Sequence, residues 1–474
     1  MQGLSYEGGT QFTVATSPDR DRVQYLRAIV PSAPNVSAYA FVMADGAPFW
    51  MGPELIYGLG QGVATSFGAF PSRGDYVADR APRGVEHIAS RAGCPPLFQP
   101  WTEGDGDFST FWAERETRLH LDRVSAAVLL SHGIPDRRVS VASVSGVLTE
   151  LPRTTPWAGV FGWWQHGAPD DRPHEGWGRT DWEAMVVAWF DRYLKDLPSG
   201  VERWPRVQVQ GSDGRWRAET TWPRPDGEFG QLALAANGRL GAGTTAGSSS
   251  YVEEPFATAL APQDPTGTSV VFETAPLDGA LEVTGEPVLD LWLTVDQPAA
   301  SIPAKLEALG PDGQLTIGEA VNVGIRSVRH LQPLHRGAVF VQPAGVDPPL
   351  SQPFRVQVRL RPTHLVVPEG GRLRLTIGGS PGVNDVPEEL GLAVEGPTEP
   401  SGRPTRITIL HDCAHPSVLR FTVPRLVRWL DVRGAEGPGP GAVHTGVPRS
   451  HASGAGLASG PVCGHPPAMP YAAL

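Results

Sequence analysis

Gly3-Leu4-Ser5-Tyr6-Glu7-Gly8 sets a serine in a tight, glycine-bounded turn at the very start of the chain. A turn of this kind joins a strand to a helix so sharply that the serine hydroxyl stands out at the top of a sheet, where a base can reach it. The feature constrains everything downstream. An elbow needs a strand before it, a helix after it, and further parallel strands to deliver an acid and a base. Only Met1 and Gln2 precede the first glycine. The chain is therefore expected to begin inside its catalytic domain, with the first strands of the sheet missing.

The 474 residues leave room for large cores and more than one domain. A net charge of −11 argues against nucleic acid as a partner, because phosphate binding needs a basic surface. Lysine occurs only at Lys195 and Lys305, so the basic charge is almost entirely arginine. No apolar run approaches the roughly 18 residues needed to span a membrane. Cys94, Cys413 and Cys463 are too few and too scattered for a disulfide framework, which is compatible with a reducing compartment. No signal peptide opens the chain, which for a truncated start says nothing of the complete protein; a cytoplasmic location is the expectation.

The pattern along the chain changes twice. Thr10 to Asp21 suits the helix after the elbow, and Leu26 to Pro31 a short buried strand ended by proline. From about 36 to 118, aromatics such as Tyr39, Trp50, Tyr57, Trp101 and Trp112 interleave with Gly and Pro, as in an inserted helical cap. Ala126 to Gly133 and Val160 to Trp164 read as the next strands. Thr180 to Leu197 reads as a helix: Thr180 and Glu183 form a capping-box pattern, an apolar face runs through Trp182, Met185, Val186, Trp189 and Tyr193, and Pro198 stops it. Beyond about 205 the period becomes two, as in Val288 to Leu293, Phe354 to Leu360 and Arg372 to Ile377. Many such strands without long helices imply a β-sandwich, here a jelly roll. The expected division is a partial catalytic domain over 1–204, a jelly roll over 205–433, and a disordered Gly/Pro/Ala/Ser-rich tail over 434–474.

A serine elbow needs a base and an orienting acid, and α/β-hydrolases supply them in the order Ser, Asp, His. Asp136 stands in the loop after the strand ending Ser131-His132-Gly133, and His166 in the loop after Trp163-Trp164. His166 would take the proton from Ser5, and Asp136 would hold its tautomer. Singly, these signals are weak. A G-x-S-x-x-G recurs by chance, an Asp after a strand is commonly a turn former, and a lone His is commonly structural. His132, His174, Asp170 and Asp171 are rivals for the two roles. The order of elbow, cap, strand-Asp, strand-His and closing helix is stronger than any part of it.

GLSYEGGTQ, residues 3–11, resembles the elbow of the X-prolyl dipeptidyl-peptidase and cocaine-esterase-like (CocE/NonD) serine hydrolases, whose pattern is G-x-S-Y-x-G. Gly8 follows that version, three residues after the serine. F-W-x-E-R within 107–115, H-G-x-x-D at Asp136, W-x-H-G at His166 and the helix ending Trp189 to Lys195 are also similar, as are Trp222-Pro223 and Thr284 to Pro287 further on. The resemblance covers about 3 to 425. It implies an α/β plus all-β chain: an α/β-hydrolase domain with a helical cap insertion, followed by a C-terminal jelly-roll β-sandwich. It also implies Ser5, Asp136 and His166 as the triad, with the Tyr6 backbone N–H in the oxyanion hole. The family's second oxyanion donor is an upstream tyrosine, which nothing here matches; one lost donor costs about a hundred- to a thousandfold in rate.

The expected substrate is a small ester, amide or short peptide, cleaved through an acyl-enzyme, without a cofactor. Esterase and X-Pro dipeptidyl-peptidase stay open as alternatives, as does a catalytically impaired remnant or ligand-binding module. A dipeptidyl-peptidase must capture a free amine, for which Glu54, Asp75, Asp79 and Glu86 in the cap are candidates beside the plainer reading of solvated surface acids. A homo-oligomer is plausible where another chain covers the open sheet edge. His411-x-Cys413-x-His415 has the one-face strand spacing of a metal site, but Pro416 follows at once and no fourth ligand is evident, so no metal is expected.

Overall fold

The computed structural model describes residues 1–44, 47–48, 108, 110–136, 139–170, 177–223, 227–253, 268–298, 300–316, 321–327, 347–378, 404–424, 427–430 and 443–446. Most of the expected cap, the acids Glu54, Asp75, Asp79 and Glu86, and the rivals Asp171 and His174 lie outside them.

Six strands of the N-terminal part lie side by side in chain order: β1 (Gln2–Leu4), β2 (Ala28–Ser32), β3 (Ala127–Gly133), β4 (Trp157–Gly162), β5 (Val207–Gln210) and β6 (Trp216–Glu219). The first five are mutually parallel, and β6 turns back antiparallel on β5. Parallel strands are covered on both faces and so read as continuous apolar runs rather than alternations. Ala-Val-Leu-Leu in β3 is such a run. Ile29, Val128 and Leu130 pack on one face with Phe12 of helix α1 (Tyr6–Ala15). Val30, Ala127 and Leu129 pack on the other, against Trp182, Met185 and Trp189 of helix α2 (Trp182–Lys195).

Pro31 does not end its strand, which runs on to Ser32. A proline only deletes one donor from the ladder. Here Val30 N–H donates to the Met1 carbonyl and Ala33 N–H to the Ser131 carbonyl, so pairing closes on either side of the gap. Helix α1 starts at Tyr6, four residues before the expected Thr10, because the helix begins directly out of the elbow. Helix α2 is capped by Asp181 rather than by the Thr180 box, with no side-chain cap bond.

Among the described residues, the second sheet has twelve strands and is mixed but mostly antiparallel. Its long strand Leu281–Val295 pairs with Phe354–Arg359 and Thr363–Val367 on one side and with Thr405–Leu410 and Val418–Val423 on the other. The period-two segments at 288, 354 and 372 are all strands of this sheet. β5 and β6 belong to the first sheet, and Val427–Leu430 and Val443–Gly446 extend it beyond β6. Residues 443–446 are thus a strand within the stretch expected to be disordered. The apolar alternation of 207–210 and 216–219 gives their period but not which sheet they join.

Candidate active site

β1 to β4 share one direction, so the residues that follow them gather at one edge of the sheet, where open α/β folds place their sites. Ser5 follows β1, Asp136 follows β3, and His166 follows β4. Ser5 has φ 59° and ψ −120°, a region that side-chain-bearing residues rarely adopt. Its N–H donates to the Ser32 carbonyl at 2.9 Å, and the Gly9 N–H donates to the Ser5 carbonyl at 3.0 Å. The glycines allow this closeness. A Cβ on Gly8 would stand 2.9 Å from the Ser32 carbonyl oxygen, and one on Gly9 would stand 2.8 Å from the Asn35 carbonyl oxygen. Both glycines lie inside α1, where they cost helix propensity and gain contact with the backbone after β2.

Tyr6 is the first residue of α1, a position whose N–H has no acceptor within its own helix and which carries the positive end of the helix dipole. That amide is suited to an oxyanion.

Asp136 is fully buried and His166 is 12% exposed by its side chain. Nδ1 of His166 and Oδ2 of Asp136 are 2.9 Å apart. The other carboxylate oxygen, Oδ1, accepts from the Val139 N–H at 3.0 Å. Gly133 makes room for the pairing of the two loops, since a Cβ there would lie 2.0 Å from the Trp164 carbonyl oxygen. The structure thus brings Asp136 and His166 together and sets Ser5 at the same edge. No hydrogen bond joins Ser5 to His166, a separation common where no substrate tightens the geometry.

His132, a rival base, is buried in β3, and neither ring nitrogen has a partner among the described residues. Burial, opposed by the Asp136 carboxylate, lowers its pKa to about 4, so it stays neutral at pH 7. It lies too deep to meet a substrate. Asp170, the other described rival for the acid, has an interaction of its own. In the metal-like triplet, Cys413 is disulfide-bonded, His411 bonds to Ser249 and to the Thr245 carbonyl, and His415 bonds to Asp412. Cys413 thus carries a disulfide in a chain whose three cysteines read as too few and too scattered for a disulfide framework.

Three groups near the site carry no sequence motif. Arg361 donates to the Asp136 carbonyl, the Trp163 indole to the His364 carbonyl, and Glu282 links His364 to Arg217. The sequence signal for Arg361 is Leu360-Arg361-Pro362, a break between two alternating runs.

A parallel sheet in this order, bearing a strained serine elbow and followed by a β-rich unit, defines the α/β-hydrolase class. Within that class, residues 1–168 match the profile of the X-Pro dipeptidyl-peptidase (S15) family, and residues 199–420 match the profile of the X-Pro dipeptidyl-peptidase C-terminal non-catalytic domain. A proposed Xaa-Pro dipeptidyl-peptidase of Streptomyces avermitilis is 27% identical over 329 residues, 66% of this chain and 43% of that protein. An Xaa-Pro dipeptidyl-peptidase of Lactobacillus delbrueckii subsp. bulgaricus is 24% identical over 252 residues, 51% of this chain and 29% of that protein. The chain thus spans less than half the length of these relatives. Among solved structures, a CocE/NonD family hydrolase of Staphylococcus aureus superposes with TM-score 0.66 at 17% identity, covering 89% of this chain and 71% of that one. An α-amino acid ester hydrolase superposes with TM-score 0.65 at 18% identity, covering 89% and 76%.

Proposed function

We propose that this chain carries the Ser-Asp-His centre of a serine hydrolase, with Ser5 as nucleophile, His166 as general base and acid, and Asp136 as its orienting carboxylate. The observation that carries this reading is the 2.9 Å bond between His166 and a fully buried Asp136, formed at the edge where Ser5 stands in its elbow.

Asp136 accepts from Nδ1–H and so leaves Nε2 of His166 with the lone pair that takes the Ser5 proton. Ser5 Oγ then bonds to the substrate carbonyl carbon, and the negative charge on its oxygen is met by the Tyr6 N–H. The imidazolium returns its proton to the leaving alcohol or amine, giving an acyl-enzyme. Water, deprotonated by the same imidazole, releases the acid and restores Ser5. The substrate class is an ester or amide. The relatives' descriptions favour peptides with proline in second position, whose cleavage releases an X-Pro dipeptide.

Intact-mass measurement after treatment with a fluorophosphonate tests the assignment. One adduct on the native chain and none on Ser5→Ala is the expected result, followed by a panel of X-Pro anilides and aryl esters to separate the two substrate types. A folded chain that takes no adduct overturns it and leaves ligand binding without turnover as the reading.

A further inference from the structure

The loops bearing Asp136 and His166 are both tied to one short stretch of the β-rich unit. Nη1 of Arg361 donates to the Asp136 carbonyl oxygen at 3.2 Å. Two residues before His166's loop reaches Gln165, the Trp163 indole Nε1 donates to the His364 carbonyl oxygen at 3.2 Å. Both contacts are buried. From these we infer that residues 361–364 brace the acid and base loops, and that Arg361 is a positioning residue for the reaction proposed above, on which this inference rests.

The local backbone explains why this stretch reaches the site. Leu281–Val295 pairs with Thr363–Val367 up to Gly285 and with Phe354–Arg359 from Val288 onward. Residues 360–362 fall opposite the gap, where the Leu360 N–H donates to the Pro287 carbonyl at 2.9 Å. Pro362 has no N–H to offer the ladder. Arg361 therefore leaves the sheet at its one interruption here and turns to the first domain, where it is 7% exposed.

The brace is anchored at its far end. His364 also accepts from the Ser212 N–H at 3.0 Å through the same carbonyl. Its ring Nε2 is 2.9 Å from Glu282 Oε2, and Glu282 accepts from Arg217 of β6 at 3.1 and 3.3 Å. A hydrogen bond from a cation is about twice as strong as a neutral one, so Arg361 is the stiffer of the two ties. Asp136 must hold the imidazole within a fraction of an ångström of its working position, and a 1 Å displacement is enough to cost about a hundredfold. A unit whose relatives' profile is described as non-catalytic thus sets the geometry of two of the three reacting side chains.

The test compares native chain, Arg361→Ala, Arg361→Lys and Trp163→Phe. Each is followed by the second-order rate of fluorophosphonate labelling of Ser5, by kcat and KM on whichever substrate the panel identifies, and by melting temperature. Arg361→Ala is expected to lower labelling and kcat about ten- to a hundredfold with KM within about twofold. Lys, which keeps a donor but not the fork, is expected to recover part of the loss, and about 20 mM methylguanidinium part of that of Ala. Trp163→Phe, which keeps the ring and removes only the donor, is expected to lose about three- to tenfold, and it decides the matter if Arg361→Ala does not fold. Unchanged labelling in folded variants, with the native chain labelled normally, overturns the brace alone. A native chain that does not label overturns the triad and the brace together.

Discussion

Ser5 stores strain that only its neighbours can hold in place. A residue at φ 59° costs on the order of 1–3 kcal/mol, and here it is retained by the bond from its N–H to Ser32 and by the close packing of Gly8 and Gly9. Gly8→Ala would drive a Cβ against the same Ser32 carbonyl that Ser5 uses. The expected result is a loss of about 1–3 kcal/mol in chemical denaturation and a labelling rate for Ser5 reduced at least tenfold. Gly243→Ala, where a Cβ meets nothing within 4 Å, is expected to change neither. His132 offers a second test at this scale. Its pKa of about 4 lies below the ordinary 6.5 because burial disfavours the cation. A group whose folded state resists protonation contributes stability that is complete above pH 6.5 and lost as pH falls toward 4. His132→Gln should therefore flatten the stability-versus-pH curve between about 6.5 and 4, measured by urea titration at fixed pH.

At the scale of elements, the elbow and the strands that lead to Asp136 and His166 were legible because each is local. Four residues specify the turn, and an unbroken apolar run followed by Gly and Asp specifies β3 and its loop. What was not legible is long-range. The start of α1 was masked by Gly8 and Gly9, which are poor helix formers and yet are required where the helix presses on the backbone of 32–35. The pairing of β5 and β6 with the first sheet depends on partners, not on their own alternation. Glu116 shows the same dependence. It is a surface residue by type, but in the structure it is 1% exposed and accepts from Ser37 Oγ at 3.0 Å and the Tyr39 N–H at 3.3 Å. It thereby joins the segment after β2 to the one leading into β3. Burial raises its pKa to about 7 against the pull of those donors. With a folded pKa above the ordinary 4.5, it contributes stability that is complete below pH 4.5 and lost as pH rises through 7. Glu116→Gln keeps an acceptor and removes the charge, so the decline in melting temperature between about pH 4.5 and 7 should shrink in that variant.

Across the whole molecule, the two sheets meet through a buried charge network rather than through apolar contact alone. Arg217 of β6 bonds to Asp213 at 3.0 Å and to Glu282 of the second sheet at 3.1 Å, and Glu282 bonds to His364. Burial pushes the Glu282 carboxyl up, but the His364 hydrogen bond and the Arg217 charge outweigh it and hold its pKa at about 2. Burial, aided by Arg217, lowers that of His364 below the ordinary imidazole value. Both shifts have the same sign in linkage. Each group takes up its proton more readily when unfolded, so each contributes stability at neutral pH that is lost on acidification. The His364 contribution begins to fall below pH 6.5, and that of Glu282 falls between 4.5 and about 2. A carboxyl lowered from 4.5 to about 2 corresponds to on the order of 3 kcal/mol. Breaking one partner of such a buried set is costlier than replacing the set, because it strands the remaining charge. Arg217→Met is therefore expected to destabilise by about 3–5 kcal/mol at pH 7, while Arg217→Met with Glu282→Leu recovers a large part of that loss. The network also anchors His364, whose carbonyl receives Trp163. Both variants should consequently label Ser5 more slowly in proportion to how far His364 shifts, and the double variant should regain stability without regaining the full labelling rate. Recovery of both together would mean that the network holds the domains in register and takes no part in placing His166.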